Sequence, residues 1–258
     1  MLNLQCNIMA IKNPYQLLEH RTFKRTFLLQ TEVNVKFATA MSDTLFRERM
    51  IPYLKDYFNL DLSGKADIEA NHAEVSSENE QKKFIFDLDQ VRMIIGPNSY
   101  KTFNETVVPL ICMIQGFIKD VAKIDSVDQL SIIKVNVWPI TSEDTYSNFT
   151  NLIEYTFKRE CVSDMLSYKF DESPQPIRLS KTSNNEVTEN VKLDAILSAE
   201  VESKERAQLG LVLAASSKNV IIHDILSDSI VLNDIIYTGF IETISDNIIE
   251  FMSNDNLS

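Results

Sequence analysis

Glycine is scarce in this sequence, with five in 258 residues, at 64, 96, 116, 210 and 239. No two are close enough for a Gly-x-Gly-x-x-Gly turn or for the glycine loop that cradles a phosphate. Lys181-Thr182 has the last two letters of such a loop, but no glycine precedes it. Nucleotide binding through a backbone cradle is therefore not expected, while sites built from side chains stay open. Cysteine is scarce too. Cys6, Cys112 and Cys161 are odd in number and widely scattered, which suits free thiols in a reducing cytoplasm better than a disulfide framework. The three histidines, His20, His72 and His223, lie far apart, and none has a second His or a Cys at ligand spacing. No metal or other cofactor is expected. Long apolar runs are also missing. The best candidate, Val107 to Ile118, is interrupted by Pro109, Gln115 and Gly116, so it falls short of the roughly 18 residues that a membrane helix needs. Met1 to Cys6 lacks the basic region and apolar core of a secretory signal. The expectation is a cytoplasmic protein with no membrane partner.

Positive charge is missing from one end. The net charge is −12 and the sequence pI about 4.8. Such a field repels phosphate backbones, so nucleic acid is not the expected partner. From Asn219 to Ser258 there is no Lys or Arg, while Asp224, Asp228, Asp234, Glu242, Asp246, Glu250 and Asp255 all fall there.

The composition is that of a folded chain, 44% hydrophobic and 24% charged. Residues 1–23 read as an N-terminal arm. Val33, Val35 and Phe37 alternate with Glu32, Asn34 and Lys36, which predicts a half-buried strand over about 24–38. Ser42 or Asp43 caps a helix through Phe58, with a kink at Pro52. A weak strand is expected within 61–82. A strong one follows from Phe84 to Ile95, carried across a bulge at Asp89-Gln90. A long helix runs from Tyr100 to Val121, with Cys112 on its apolar arc. Leu130 to Trp138 is a strand with Ile133, Val135 and Val137 on one face. This order makes residues 24–140 a ferredoxin-like βαββαβ half.

Residues 141–258 begin with a helix from Ser142 to Arg159. A loop zone holds Pro174, Pro176 and Ser183-Asn184-Asn185. An antiparallel meander follows over 191–197, 209–213 and 220–225, with turns at Ser203-Lys204-Glu205 and Ser216-Ser217-Lys218. One amphipathic helix, Ile230 to Met252, closes the chain. Its apolar face carries Ile236, Phe240, Ile244 and Ile248, and its outer face Glu242, Asp246 and Glu250. The fold class is α+β, with the second half packed on the first as one unit.

No catalytic constellation is visible. Asp87-x-Asp89 is the one tight acidic pair at a strand end, and His223-Asp224 sits at the end of an apolar run. An enzyme would have to assemble its site between the halves from Asp87, Asp89 or His223. No Gly-x-Ser-x-Gly elbow exists, and Cys161 beside Glu160 has no activating neighbour. Short basic clusters, His20-Arg21, Lys24-Arg25 and Arg47-x-Arg49, lie near Phe23, Phe27 and Tyr53. They admit a nucleic-acid-associated accessory or defence-island factor, or they complement the acidic C-terminal helix. Trp138 is read as a core-rim residue or an exposed anchor.

The stretches Phe84 to Ile95, Tyr100-x-x-Phe103, Ser131 to Trp138 and Asp234 to Phe251 together resemble a sporadically distributed, functionally uncharacterised prokaryotic family of about this length. Where that family's strand reads Gly-Leu-Arg-Tyr-x-Asn, this chain has Lys134 for Arg and Val135 for Tyr, with Asn136 out of step. The resemblance implies a bacterial accessory protein from a mobile genomic region and brings no catalytic residues. The leading expectation is a non-enzymatic binding or assembly module. Its acidic face at Glu242, Asp246 and Glu250 would meet a basic protein partner, or a second copy in a homodimer.

Overall fold

The computed structural model describes residues 20, 21, 23, 26–50, 52, 53, 66–69, 71–77, 80–141, 144–167 and 177–254. The expected arm over 1–23 lies almost wholly outside them, as do the end of the helix expected through Phe58 and the prolines at 174 and 176. The protein mixes α and β structure. Among the described residues nine strands form one antiparallel sheet in the order β2-β3-β4-β5-β1-β6-β9-β8-β7.

Strand β1, Leu28–Phe37, follows its alternation. Val33, Val35 and Phe37 are buried, while Glu32, Asn34 and Lys36 keep surface. Helix α1 starts at Asp43–Leu45, capped by Ser42, and widens over Phe46–Met50. The wide turn comes just before Pro52, which has no N–H to close a regular turn. Strands β2 (Ala66–Ile68) and β3 (His72–Ser76) stand where a single weak strand is expected.

The expected strand from Phe84 to Ile95 is in fact a hairpin. Strands β4, Lys82–Asp87, and β5, Gln90–Ile95, reverse at Leu88-Asp89 and pair Phe84 with Met93 and Phe86 with Val91. A two-residue reversal and a bulge shift the apolar phase in the same way, so periodicity does not separate them. Chemistry does: the Asp87 carboxylate accepts from Gln90 Nε2 at 3.0 Å, and the Asp89 carbonyl accepts from the Phe37 N–H at 2.7 Å. Helix α2 is continuous from Phe103 to Ala122, with Thr102 as its cap at 3.1 Å from the Glu105 N–H. Cys112 lies exposed, just off the buried stripe of Ile111, Ile114 and Ile118.

Strand β6, Ser126–Thr141, outruns its expected span and pairs along its length with β9, Arg206–Ile221. One sheet therefore passes through both expected halves. Helix α3, Thr145–Thr156, is capped by Asp144; Ser142 is outside the described residues. Helix α4 spans Arg159–Leu166. Strand β7, Ile177–Glu186, contains Ser183-Asn184-Asn185, which composition assigns to a loop. Ten-residue pairing with β8, Val191–Ser203, overrides that weak local preference. Ser216-Ser217-Lys218 likewise lies inside β9. Val220 and Ile221 end β9 rather than starting a further strand, and after a tight turn Ile225 opens helix α5, Ile225–Thr243.

The expected single C-terminal helix is two. Helix α6, Asp246–Ser253, starts after a break at Ile244-Ser245. Ser245 is its cap, and the Ser245 N–H donates to the Thr156 carbonyl while Lys158 N–H donates to Thr243. The end of α3 thus competes successfully for the groups that would continue α5. No helix among the described residues is long and apolar enough to cross a membrane.

Helix α5 packs on β6, β8 and β9 and meets α2. Gly239 allows this approach. A Cβ there would stand 2.9 Å from Leu193 Cδ2 and 3.7 Å from Leu213 Cδ2. Both leucines are buried, so the β-branched side chain of Gly239→Val has nowhere to go. The expected loss is about 2 kcal/mol, measured by urea unfolding.

Candidate functional site

The sheet face that meets the helices decides the site. Leu130, Ile132, Asn136 and Trp138 alternate along β6 and are buried. Lys134 belongs to that inward set. Ile133, Val135 and Val137 share the opposite face, as their spacing predicts, and stay partly exposed. A lysine and an asparagine two residues apart therefore enter the interior beneath α2 and α5. They open onto a cleft of about 550 Å³.

Three elements converge there. Helix α5 presents Asn233, Asp234 and Tyr237, and Asn233 and Tyr237 share a face because they are four residues apart. The start of α2 contributes Phe103, with Tyr100 and Lys101 just before it. His20, Arg21 and Phe23 form the third wall. Lys134 Nζ donates to Asn233 Oδ1 at 2.7 Å. The Tyr100 and Phe103 rings face the ammonium with centroids at 5.6 and 5.8 Å. Among the described residues no carboxylate is within ion-pair distance of it.

The nearby acid is engaged elsewhere. Asp234 Oδ1 lies 3.0 Å from His20 Nε2. The His20 ring stacks on Tyr237 at 4.1 Å, and the Arg21 N–H donates to the Tyr237 hydroxyl at 2.8 Å. Burial disfavours the charged forms of Lys134, Tyr100 and His20. It pushes Lys134 down to about 8, against a smaller opposing pull from Asp234. It pushes Tyr100 up to about 12. His20 is held below its ordinary value by burial, which outweighs the attraction of Asp234, and the Lys134 charge adds to the lowering. At neutral pH the cleft thus offers a weakly held ammonium, a protonated phenol and a neutral imidazole.

Most of the side chains singled out from sequence do not meet. Glu242, Asp246 and Glu250 are exposed, but the break at Ile244-Ser245 puts Glu242 on α5 and the other two on α6. Glu242 instead borders a smaller pocket of about 250 Å³ with Cys161 and Lys181. Burial, with the Glu160 charge, raises the Cys161 thiol above its ordinary value, the opposite of activation. Asp87 Oδ1 bonds His72 Nδ1 at 2.7 Å. His223 is exposed in the turn between β9 and α5. From β4 to β9 is four strand spacings, about 19 Å, and Asp87, Asp89 and His223 do not line the cleft. Of the basic clusters, His20 and Arg21 line it and Arg49 is exposed on α1. Lys24, Arg25 and the Arg47 side chain are outside the described residues. Trp138 is buried, packed with Phe27, Phe157 and Phe240.

Lys134 is the cleft residue that sequence reasoning missed. Both faces of β6 are largely apolar, and the more continuous set, Ile133, Val135 and Val137, is the one that stays half exposed. The available signal was the charge itself, a lone lysine followed at i+2 by asparagine in an otherwise apolar strand.

No protein-family model matches the chain, and no curated protein matches it. Among solved structures, Methanococcus jannaschii TBP aligns over 82% of this chain and 97% of that chain, at 9% identity and a TM-score of 0.28. A likeness at that level carries no argument about what this chain does.

Proposed function

We propose that the chain is a non-enzymatic binding module whose site is the cleft over Lys134. The ligand is a group with a negative charge on a planar or apolar body. One observation carries this reading: a chain of net charge −12 lines this cleft of about 550 Å³ with Arg21, Lys101 and Lys134, against one acid among the described residues, Asp234. The low-dielectric walls of such a cleft focus the field and favour an incoming anion. The aromatic sides, Tyr100, Phe103 and Tyr237, suit a flat ligand body.

The strand order β4-β5-β1-β6, with α1 and α2 as crossovers, supports a ferredoxin-like reading of the first half. The proposed kinship with the sporadic prokaryotic family draws support from the cleft. Tyr100, Phe103, Lys134, Asn136 and Asp234, from the stretches that carry the resemblance, all line it. Free Cys112 and Cys161 suit a cytoplasmic location. A protein partner or homodimer contact at Glu242, Asp246 and Glu250 rests on their exposure and charge.

Phenyl phosphate tests the reading. It is expected to raise the unfolding temperature of the native chain in a salt-sensitive way, and phenol at the same concentration is not. Lys134→Gln is expected to lose at least nine-tenths of the affinity, consistent with removal of one charge-assisted hydrogen bond of about 1.5–3 kcal/mol. Equal binding by the Lys134→Gln and native chains in calorimetric titration would contradict it.

A further inference from the structure

We propose that Lys134 captures its ligand covalently, its amine forming a reversible imine with an aldehyde that carries an aromatic ring and an anionic substituent. The inference rests on the reading of the cleft as an anion site and adds the reactive group of the ligand to it.

The geometry supplies what the reaction needs. Nζ opens on the cleft and donates to the amide oxygen Asn233 Oδ1 at 2.7 Å. It has no carboxylate at ion-pair distance among the described residues to hold it as an ammonium. Tyr100 and Phe103 flank it, so a planar carbonyl compound has ring faces to lie against. Arg21 and Lys101 line the same cleft and offer charge to the anionic substituent. Burial agrees with this geometry. With its proton released near pH 8, roughly one amine in ten is uncharged at pH 7, against about one in three thousand for an exposed lysine.

The step balances without an oxidant or reductant. The Nζ lone pair attacks the carbonyl carbon, a C–N bond forms, and the carbonyl π pair moves to oxygen. The oxygen takes up a proton as nitrogen loses one, giving a carbinolamine. Water then leaves with the C–O bonding pair, and the nitrogen lone pair closes the C=N bond. Overall, ammonium and aldehyde give a protonated imine and one water, and hydrolysis reverses the sequence. The Tyr100 hydroxyl, kept protonated by burial, lines the same cleft and can supply a proton to the leaving oxygen. The result is capture and release rather than turnover.

The test uses the native chain with pyridoxal 5′-phosphate as the anionic aromatic aldehyde. Borohydride reduction fixes any imine, and peptide mass mapping locates it. Lys134 is expected to be modified at least ten-fold faster than the exposed Lys36 and Lys192, and the advantage is expected to vanish in urea. Modification of Lys134 no faster than of Lys36 and Lys192 would overturn the proposal. Phenyl phosphate separates the two readings. If it binds and Lys134 remains unmodified, imine capture fails and the anion site stands. If Lys134 is modified rapidly and phenyl phosphate neither binds nor protects, the anion site fails and the reactive amine stands.

Discussion

Lys134→Met is expected to unfold at a higher temperature than the native chain at pH 7, while losing the anion. The unfolded chain holds the lysine proton to about pH 10.5 and the folded chain only to about 8. Between those values the unfolded state carries more protons, so native stability rises with pH across that window. The penalty for burying the ammonium is fully present below about pH 8. At 1.36 kcal/mol per pKa unit it amounts to about 3 kcal/mol. Methionine fills a similar volume with no charge to desolvate. It leaves the buried Asn233 Oδ1 without its donor, at a cost of about 1 kcal/mol. The net gain is about 2 kcal/mol, or roughly 4–8 °C for a chain of this size. Near pH 10.5 the native lysine is neutral as well, and most of the advantage should disappear. Thermal unfolding of the two chains at pH 7 and pH 10.5 measures both effects.

Trp138→Ala is expected to be the most destabilising single change here, by about 4 kcal/mol. Trp138 is 3% exposed, with ring centroids 5.6 Å from Phe27, 5.7 Å from Phe157 and 6.4 Å from Phe240. Phe157 ends α3 and Phe240 belongs to α5, so this one ring ties β6 to two helices. The loss is a large part of the 5–15 kcal/mol that holds a typical domain together. Trp138→Phe keeps a ring and removes an indole N–H that has no acceptor among the described residues. It is expected to cost less than half as much. Denaturant unfolding of the two variants, followed by circular dichroism, separates ring packing from the polar group. Phe240 also lines the cleft, so a Trp138→Ala chain that still folds should bind phenyl phosphate more weakly.

Alternation along β1, the apolar stripe of α2 and the strand runs of the second half are visible in the residues because each has one face against the core. Features set by partners were harder to see. The break at Ile244-Ser245 depends on backbone groups near Thr156 and Lys158, almost ninety residues away in sequence. The strand character of Ser183-Asn184-Asn185 comes from β8. The Leu88-Asp89 reversal is hidden because it shares its phase with a bulge. The cleft escaped for a related reason. Its described members are His20, Arg21, Phe23, Thr26 and Leu28, with others from residues 97–104, 134–136 and 230–252, and no short spacing links them. The acidic face attracted attention because charge within one helix is a local pattern, and α5 and α6 turn out to divide it.

The most direct measurement is the Lys134 Nζ titration by NMR, with the adjacent methylene carbon labelled, with and without phenyl phosphate. The free chain should show a midpoint near pH 8, and the bound anion should move it upward by favouring the ammonium. A midpoint near 10.5 in the free chain, unmoved by phenyl phosphate, would contradict a buried lysine poised for an anionic ligand.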